Sequence, residues 1–200
     1  MLSGIDLRRV LLAVAMFFLC AAPLAAAAND ESINLSGLMA VLSKRTSGTA
    51  EFTELRYMAM LSEPVKSTGT LRYVAPDELE RNVITPKPMR MTVHGREVTV
   101  DDGKHKPRTV SLDESLELAA IIESIRGALA GDQKALEQYY ALSVDGSPDH
   151  WTLQMIPKTD RLRAVVDQIT MTGHGDEIVG VETIEHGGDR TVMTITKAGP

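Results

Sequence analysis

The central part of the chain alternates apolar and polar residues in short runs that end at turn-forming residues. Between Glu51 and Val110 the period is two, which is the repeat of a β-strand with one buried face. Proline, glycine and aspartate interrupt these runs at intervals of roughly 8 to 12 residues. The pattern predicts strands at 51–61, 67–75, 78–84, 89–94, 97–101 and 107–112. Because the connections are short, we expect the strands to pair in one antiparallel meander.

The remaining segments predict three helices and a second group of strands. The helices are expected at 34–44, from Asp113 as N-cap to the stop at Gly131, and from the cap Asp132 to Tyr140. Strands are predicted at 151–157, 165–172, 177–185 and 190–196, whereas 161–166 fits a helical turn or the start of a strand. This order is typical of an α+β domain. Since a sheet of about ten strands curls, we expect a strongly curved sheet with helices over its open side.

The first 28 residues have the organisation of a secretory signal peptide. Arg8 and Arg9 precede a short apolar run at 10–22, and the alanines at 26–28 offer a cleavage site before Asn29. The alternatives are an uncleaved anchor, for which the run is short, and a lipoprotein. A lipoprotein is disfavoured because the residue before Cys20 is leucine instead of a small residue. We therefore expect one domain at 29–200, soluble in the periplasm after cleavage.

Composition limits what the mature chain can bind. Removing 28 of the 200 residues leaves 172 without cysteine, because Cys20 is the only one, so no disulfide stabilises the exported domain. The mature chain has 19 basic and 26 acidic residues, a net charge of −7. This charge argues against binding nucleic acid or an anionic membrane surface.

Sequence motifs for catalysis and metal binding are missing. There is no G-x-S-x-G, H-E-x-x-H, P-loop or G-x-G-x-x-G motif. No histidine lies three or four residues from another, so no helical metal-ligand pair is visible. Asp101-Asp102-Gly103 is interpreted as a turn and not as a calcium loop. We therefore predict a protein that is not an enzyme and that needs neither cofactor nor metal.

Methionine is frequent in the strand candidates, while only 4% of residues are aromatic. Flexible methionine side chains suit a surface that repacks around variable apolar ligands, and they also serve as ordinary core fillers. The strand methionines are Met58, Met60, Met89, Met91, Met155, Met171 and Met193.

A series of hairpin and turn residues follows the pattern of one known family. The residues are Phe52-Thr53-Glu54, the stretch STGTLRY at 67–73, Pro76, Leu79 and Pro86, with a looser match at 151–158 and 175–178. Together they resemble the periplasmic outer-membrane lipoprotein carriers (the LolA-like family) over most of residues 33–196. The resemblance implies an incomplete, highly curved antiparallel barrel with a helical lid, whose cavity holds acyl chains.

Two positions depart from that family and indicate a divergent, carrier-related branch. The carriers have an arginine directly before the first proline, which ties the lid shut, and this chain has Ala75. The glutamine of the carriers' F-T-Q is replaced by Glu54, and Arg72 and Arg81 lie nearby in the sequence.

The resemblance implies a monomeric carrier, or chaperone, that serves outer membrane biogenesis. It would accept an acylated lipoprotein or lipid from an inner-membrane exporter and deliver it to an outer-membrane acceptor. A lipid-sensing or assembly protein that binds a protein partner through the same sheet is the alternative, and a secreted hydrolase is a third.

Strand alternation and the helix pattern predict which residues face the acyl-chain cavity. The candidates are Leu38, Leu55, Tyr57, Leu71, Tyr73, Met89, Met91, Ile122 and Leu153. A shift of one residue within a strand would exchange its two faces.

Overall fold

The structure, a computed structural model, describes residues 32–198. Within this range the chain forms eleven strands, which are β1 (Ser47–Tyr57), β2 (Val65–Val74), β3 (Glu78–Thr85), β4 (Met89–His94), β5 (Glu97–Asp101), β6 (Arg108–Ser111), β7 (Tyr140–Ser147), β8 (His150–Pro157), β9 (Val166–His174), β10 (Glu177–Glu185) and β11 (Arg190–Lys197). They form one antiparallel sheet in the order β6-β5-β4-β3-β2-β1-β11-β10-β9-β8-β7. The predicted signal peptide at 1–28 and its cleavage site lie outside the described residues.

Helical segments lie before β1, between β6 and β7, and between β8 and β9. The helices are α1 (Leu35–Leu42), a 3-10 turn (Leu112–Glu114), α2 (Leu116–Ala130), α3 (Gln133–Tyr139) and α4 (Asp160–Arg163). The ambiguous segment 161–166 therefore contains a helical turn, and β9 begins after it.

The predicted strands are found close to their expected positions, except at β1 and β7. β1 begins at Ser47 and ends at Tyr57, because the apolar residues that follow leave the sheet, and Met60 is 88% exposed. β7 was not predicted. Tyr140 both caps α3 and begins β7, so no glycine or proline marks the change from helix to strand.

Helix α2 is limited at both ends by specific caps. The hydroxyl of Ser115 accepts a hydrogen bond from the Leu118 amide at 3.2 Å, so the prediction of Asp113 as N-cap is wrong. Asp113 lies in the preceding 3-10 turn and pairs with Arg96. Gly131 ends the helix with φ 64°, as predicted. A side chain there would also lie 2.1 Å from the Met39 carbonyl oxygen of α1, so both conformation and packing require glycine.

Two apolar clusters hold the helices over one face of the sheet. The larger cluster joins α1, α2 and α3 to strands β7–β9 and includes Leu38, Leu136 and Trp151. The smaller cluster joins α2 to Val93 of β4 and Val98 of β5. Strands near opposite ends of the sheet order thus pack against the same helix, so the sheet is strongly curved. Its edge strands, β6 and β7, do not pair with each other. The predicted α+β fold, an open, curved antiparallel sheet covered by helices, is confirmed.

Gly173 of β9 provides a test of the packing in the larger cluster. A β-carbon at Gly173 would lie 2.2 Å from Trp151 Cζ2 and 2.2 Å from the Glu177 carbonyl oxygen. We expect Gly173→Ala to lower the free energy of unfolding by about 2 kcal/mol or more, because the rigid indole and backbone must move. Urea denaturation followed by tryptophan fluorescence measures this loss. Gly48→Ala is the control, because its β-carbon would meet only the end of the Arg45 side chain. Equal losses for the two variants would contradict the packing.

Candidate ligand-binding cavity

A cavity of 340 Å³ lies between the concave face of the sheet and the covering helix α2. Strands β1–β4 and β9–β11 form its wall, and one side of α2 forms its roof. Most of the lining is apolar, as is usual for ligand sites, whose volumes are roughly 300–1,000 Å³. The apolar lining residues are Ala50, Leu71, Tyr73, Leu79, Met91, Ile122, Ile125, Leu129, Met171, Ile178, Val181, Met193 and Ile195.

The volume indicates how much of a lipid the cavity can hold. A methylene group is similar in size to a water molecule, which occupies about 30 Å³ in the liquid. A cavity of 340 Å³ therefore has room for roughly ten methylene groups. This is most of one acyl chain.

Four of the nine residues predicted to face the cavity line it. These four are Leu71, Tyr73, Met91 and Ile122. Their ligand-binding role stays a prediction. The other five lie elsewhere in the described structure.

Leu55 and Tyr57 lie on the outer face of β1, so their predicted orientation is wrong. The buried Phe52 pairs with Gly69 and Ile195, and this register turns the even-numbered residues of β1 inward. The aromatic ring of Tyr57 lies instead under the guanidinium of Arg190, 5.5 Å away.

Leu38, Leu153 and Met89 do not line the cavity either. Leu38 and Leu153 are fully buried in the larger apolar cluster, where α1 packs against α2 and β7. Met89 shares the inner face of β4 but lies at the exposed start of the strand, beyond the cavity.

Several lining residues were not among the predicted ones, although patterns in the sequence indicate them. Ile125 and Leu129 continue the helical stripe of Ile122 at spacings of three and four. Met193 and Ile195 alternate with threonines along β11. The alternation alone does not say which face is concave, and it is the pairing of β11 with β1 that decides.

A charged group interrupts the apolar wall near the end of β1. Glu54 Oε1 accepts a hydrogen bond from Arg81 Nη2 at 2.8 Å and another from the Ser67 hydroxyl at 3.1 Å. The guanidinium of Arg81 lies over the ring of Phe52, 4.8 Å from its centroid. The family position with glutamine thus holds one partner of an ion pair here. Gly69 makes room for this stack, because a β-carbon there would lie 2.8 Å from Phe52 Cε1.

A second ion pair borders the cavity where β1 begins. Arg45 Nη2 lies 3.3 Å from Asp176 Oδ2 and 3.7 Å from Glu177 Oε1. The Arg45 Nε also donates to the Asp176 carbonyl oxygen at 3.1 Å. The apolar space is therefore bounded by charged pairs towards both ends of β1.

Arg126 fastens the covering helix to the sheet. Its side chain is buried, and Nη2 donates to the carbonyl oxygens of Asp77, at 2.7 Å, and Gly95. These carbonyls belong to the β2–β3 and β4–β5 turns. The chain has Ala75 where the carriers it resembles have a lid arginine in the sheet, so the fastening here comes from the helix side.

Two buried polar atoms near the contact between α2 and the sheet lack a hydrogen-bond partner within residues 32–198. Arg126 Nε and the Tyr73 hydroxyl are buried without a hydrogen-bond partner in this part of the chain. Burial raises the pKa of Tyr73, and the positive charge of Arg126 opposes this shift. Buried polar atoms without partners destabilise the state that buries them. These two atoms therefore offset part of the stabilisation that the hydrogen bonds of Arg126 to the Asp77 and Gly95 carbonyls provide.

Residues 32–198 offer neither a metal site nor a membrane-spanning helix. Across 32–198, no three His, Cys, Asp or Glu side chains are grouped closely enough to hold a metal ion. In the same range, no helix is both long and apolar enough to cross a bilayer.

Comparison with known proteins gives distant structural neighbours. A LolA superfamily protein from Nitrosomonas europaea is 9% identical, with a TM-score of 0.46, and covers 84% of this chain and 94% of its own. A DUF1329 family protein from Desulfovibrio piger is 10% identical, with a TM-score of 0.44, and covers 81% of this chain and 88% of its own. No curated protein sequence gives a significant match.

The sequence profile of one family covers nearly the whole chain. It is described as outer membrane lipoprotein carrier protein LolA-like, and it matches residues 26–199. This match includes every strand of the sheet and the covering helix. The chain therefore belongs to the LolA-like outer membrane lipoprotein carrier protein family.

Proposed function

We propose that this protein is a periplasmic carrier that shields the acyl chains of a lipoprotein or lipid between the inner and outer membranes. It would take its cargo from an inner-membrane exporter, deliver it to an outer-membrane acceptor, and catalyse no reaction. The observation that carries this proposal is the apolar cavity between the curved sheet and α2. Membership of the lipoprotein carrier family supports it.

The cavity size sets the expected affinity for one chain. Burying a methylene group contributes about 0.8 kcal/mol, so roughly ten groups contribute about 8 kcal/mol. This corresponds to about micromolar affinity before the entropy of association is subtracted. We therefore expect a single acyl chain to bind with a micromolar or weaker dissociation constant. Such binding leaves release to an acceptor thermodynamically accessible.

Titration of the delipidated protein with a solvatochromic fatty-acid probe tests the proposal. We expect a saturable rise in fluorescence that unlabelled acyl ligand reverses. Mass spectrometry of the protein purified without delipidation should detect an acylated molecule.

Absence of saturable uptake, together with a stable protein partner, would favour the alternative role in sensing or assembly. Ester turnover abolished by changing one serine or histidine would favour a hydrolase.

A further inference from the structure

The charged residues that border the cavity form a neutral set in the described structure. Three are cationic and three are anionic, and each has a partner of opposite charge. The pairs are Arg45 with Asp176 and Glu177, Arg72 with Glu78, Arg81 with Glu54, and Glu80 with Arg90. The wall therefore offers no uncompensated cation to an ionised headgroup.

The pair of Glu54 and Arg81 is the most buried of these. The side chains are 17% and 22% exposed, respectively. Partial removal from water weakens the screening of a charge, so this pair has more influence on a bound ligand than pairs at the surface.

Arg81 retains unused hydrogen-bonding capacity beside the cavity. A guanidinium carries five N–H donors, and the one hydrogen bond of this side chain in the described structure goes to Glu54. A carbonyl oxygen in the cavity can accept from the remaining donors. The oxygen of an ester or amide satisfies them without adding charge.

An ionised carboxylate at the same place is disfavoured by Glu54. It would bring a second negative charge next to Arg81, whose own charge Glu54 already compensates. The ligand carboxylate and the Glu54 carboxylate repel each other when both lie beside Arg81. The repulsion grows as the apolar part of the ligand excludes water.

We propose, building on the carrier function proposed above, that Glu54 makes the cavity select acyl chains with an uncharged carbonyl group over ionised fatty acids. The preferred ligand class is the acyl ester or amide. Glu54 is thus a specificity-determining residue that occupies the position where the carriers this chain resembles have glutamine.

Competition binding with Glu54→Gln tests this selectivity. Delipidated protein is loaded with Nile red, an uncharged dye, and the dye is displaced at neutral pH by lauric acid or by methyl laurate. The measured quantity is the ratio of the two inhibition constants. The ester leaves water more readily than the anion in any protein, so the diagnostic is the change in this ratio between variants. We expect Glu54→Gln to shift the ratio about tenfold towards lauric acid, because one repulsive charge is removed.

Glu51→Gln is the matched control. It removes the same charge from the same strand, but Glu51 lies exposed on the outer face of β1, and we expect an unchanged ratio. If the native protein binds both ligands and Glu54→Gln leaves the ratio unchanged, the selectivity proposal is wrong and the carrier function stands. If equal shifts follow from both substitutions, a long-range effect of net charge replaces the local one. If the native protein binds neither dye nor ligand, both proposals are overturned.

Discussion

Replacing Leu71 by glutamate is expected to abolish acyl binding while leaving the protein folded. Leu71 of β2 lines the cavity and lies directly opposite Ala50 of β1. A carboxylate there must either lose its hydration when an acyl chain enters or keep water in the cavity. Its neighbour across the β2–β3 pair is Arg81, whose charge Glu54 already compensates. Desolvating a carboxylate that has no free partner costs several kcal/mol, so we expect affinity for a solvatochromic fatty-acid probe to fall by at least about 100-fold. Fluorescence titration measures the loss, and circular dichroism checks the fold.

Leu55→Glu is the control for this substitution. It makes the same chemical change on the neighbouring strand, but Leu55 lies on the outer face, and its cross-strand partner is Lys66. A new carboxylate beside a lysine in contact with solvent is tolerated. Probe affinity should therefore stay within about twofold of the native value. A comparable loss in both variants would show that the cavity is not the binding site, or that both changes act by unfolding the sheet.

Replacing Arg126 by methionine is expected to loosen the covering helix. Methionine keeps the apolar stem of the side chain but removes the donors to the Asp77 and Gly95 carbonyls. The loss is offset in part because Arg126 Nε has no partner within the described residues. We expect the free energy of unfolding to fall by about 2 kcal/mol, which lowers the melting temperature by roughly 4–8 °C for a domain of this size.

If Arg126 holds α2 on the sheet, its replacement should affect α2 more than the rest of the protein. Amide hydrogen exchange in α2 should accelerate more than exchange in β8 and β9, and the fatty-acid probe should enter and leave faster. Arg96→Met is the comparison, because Arg96 pairs with Asp113 at the surface, next to the same turn. Exposed pairs contribute little to stability, so this variant should behave as the native protein does. Uniformly faster exchange throughout Arg126→Met would indicate a general loss of stability instead of helix release.

The strand pattern was predictable because each run of alternation ends at residues with turn chemistry. Glu177–Glu185 is the clearest example, bounded by glycines on both sides and observed as predicted. The transition at Tyr140 has no such signal. A tyrosine fits a helix end and a strand equally well, and here the packing of Tyr140 against α2 and β8 decides.

The concave face of β1 was not predictable from the strand itself. Phe52 and Glu54 alternate with Leu55 and Tyr57, so both faces carry large side chains. The choice is made by the neighbours of β1, since Gly69 leaves room for the Phe52 ring on the inner side. Arg126 presents a similar problem, because its acceptor Asp77 lies 49 residues away and only the folded sheet brings the two together.

The unpaired edges of the sheet give the cavity a mechanical property that a sealed cylinder lacks. Because β6 and β7 are not joined, we expect the sheet to flatten slightly without loss of the hydrogen bonds between neighbouring strands. The resistance to widening then comes from α2, through apolar contacts that are individually weak and through the hydrogen bonds of Arg126 to the β2–β3 and β4–β5 turns. For the proposed carrier, small changes in curvature would then accommodate chains of different thickness. We therefore expect the width of the cavity to change with little cost in free energy. The contacts of α2, and not the backbone of the sheet, set that cost.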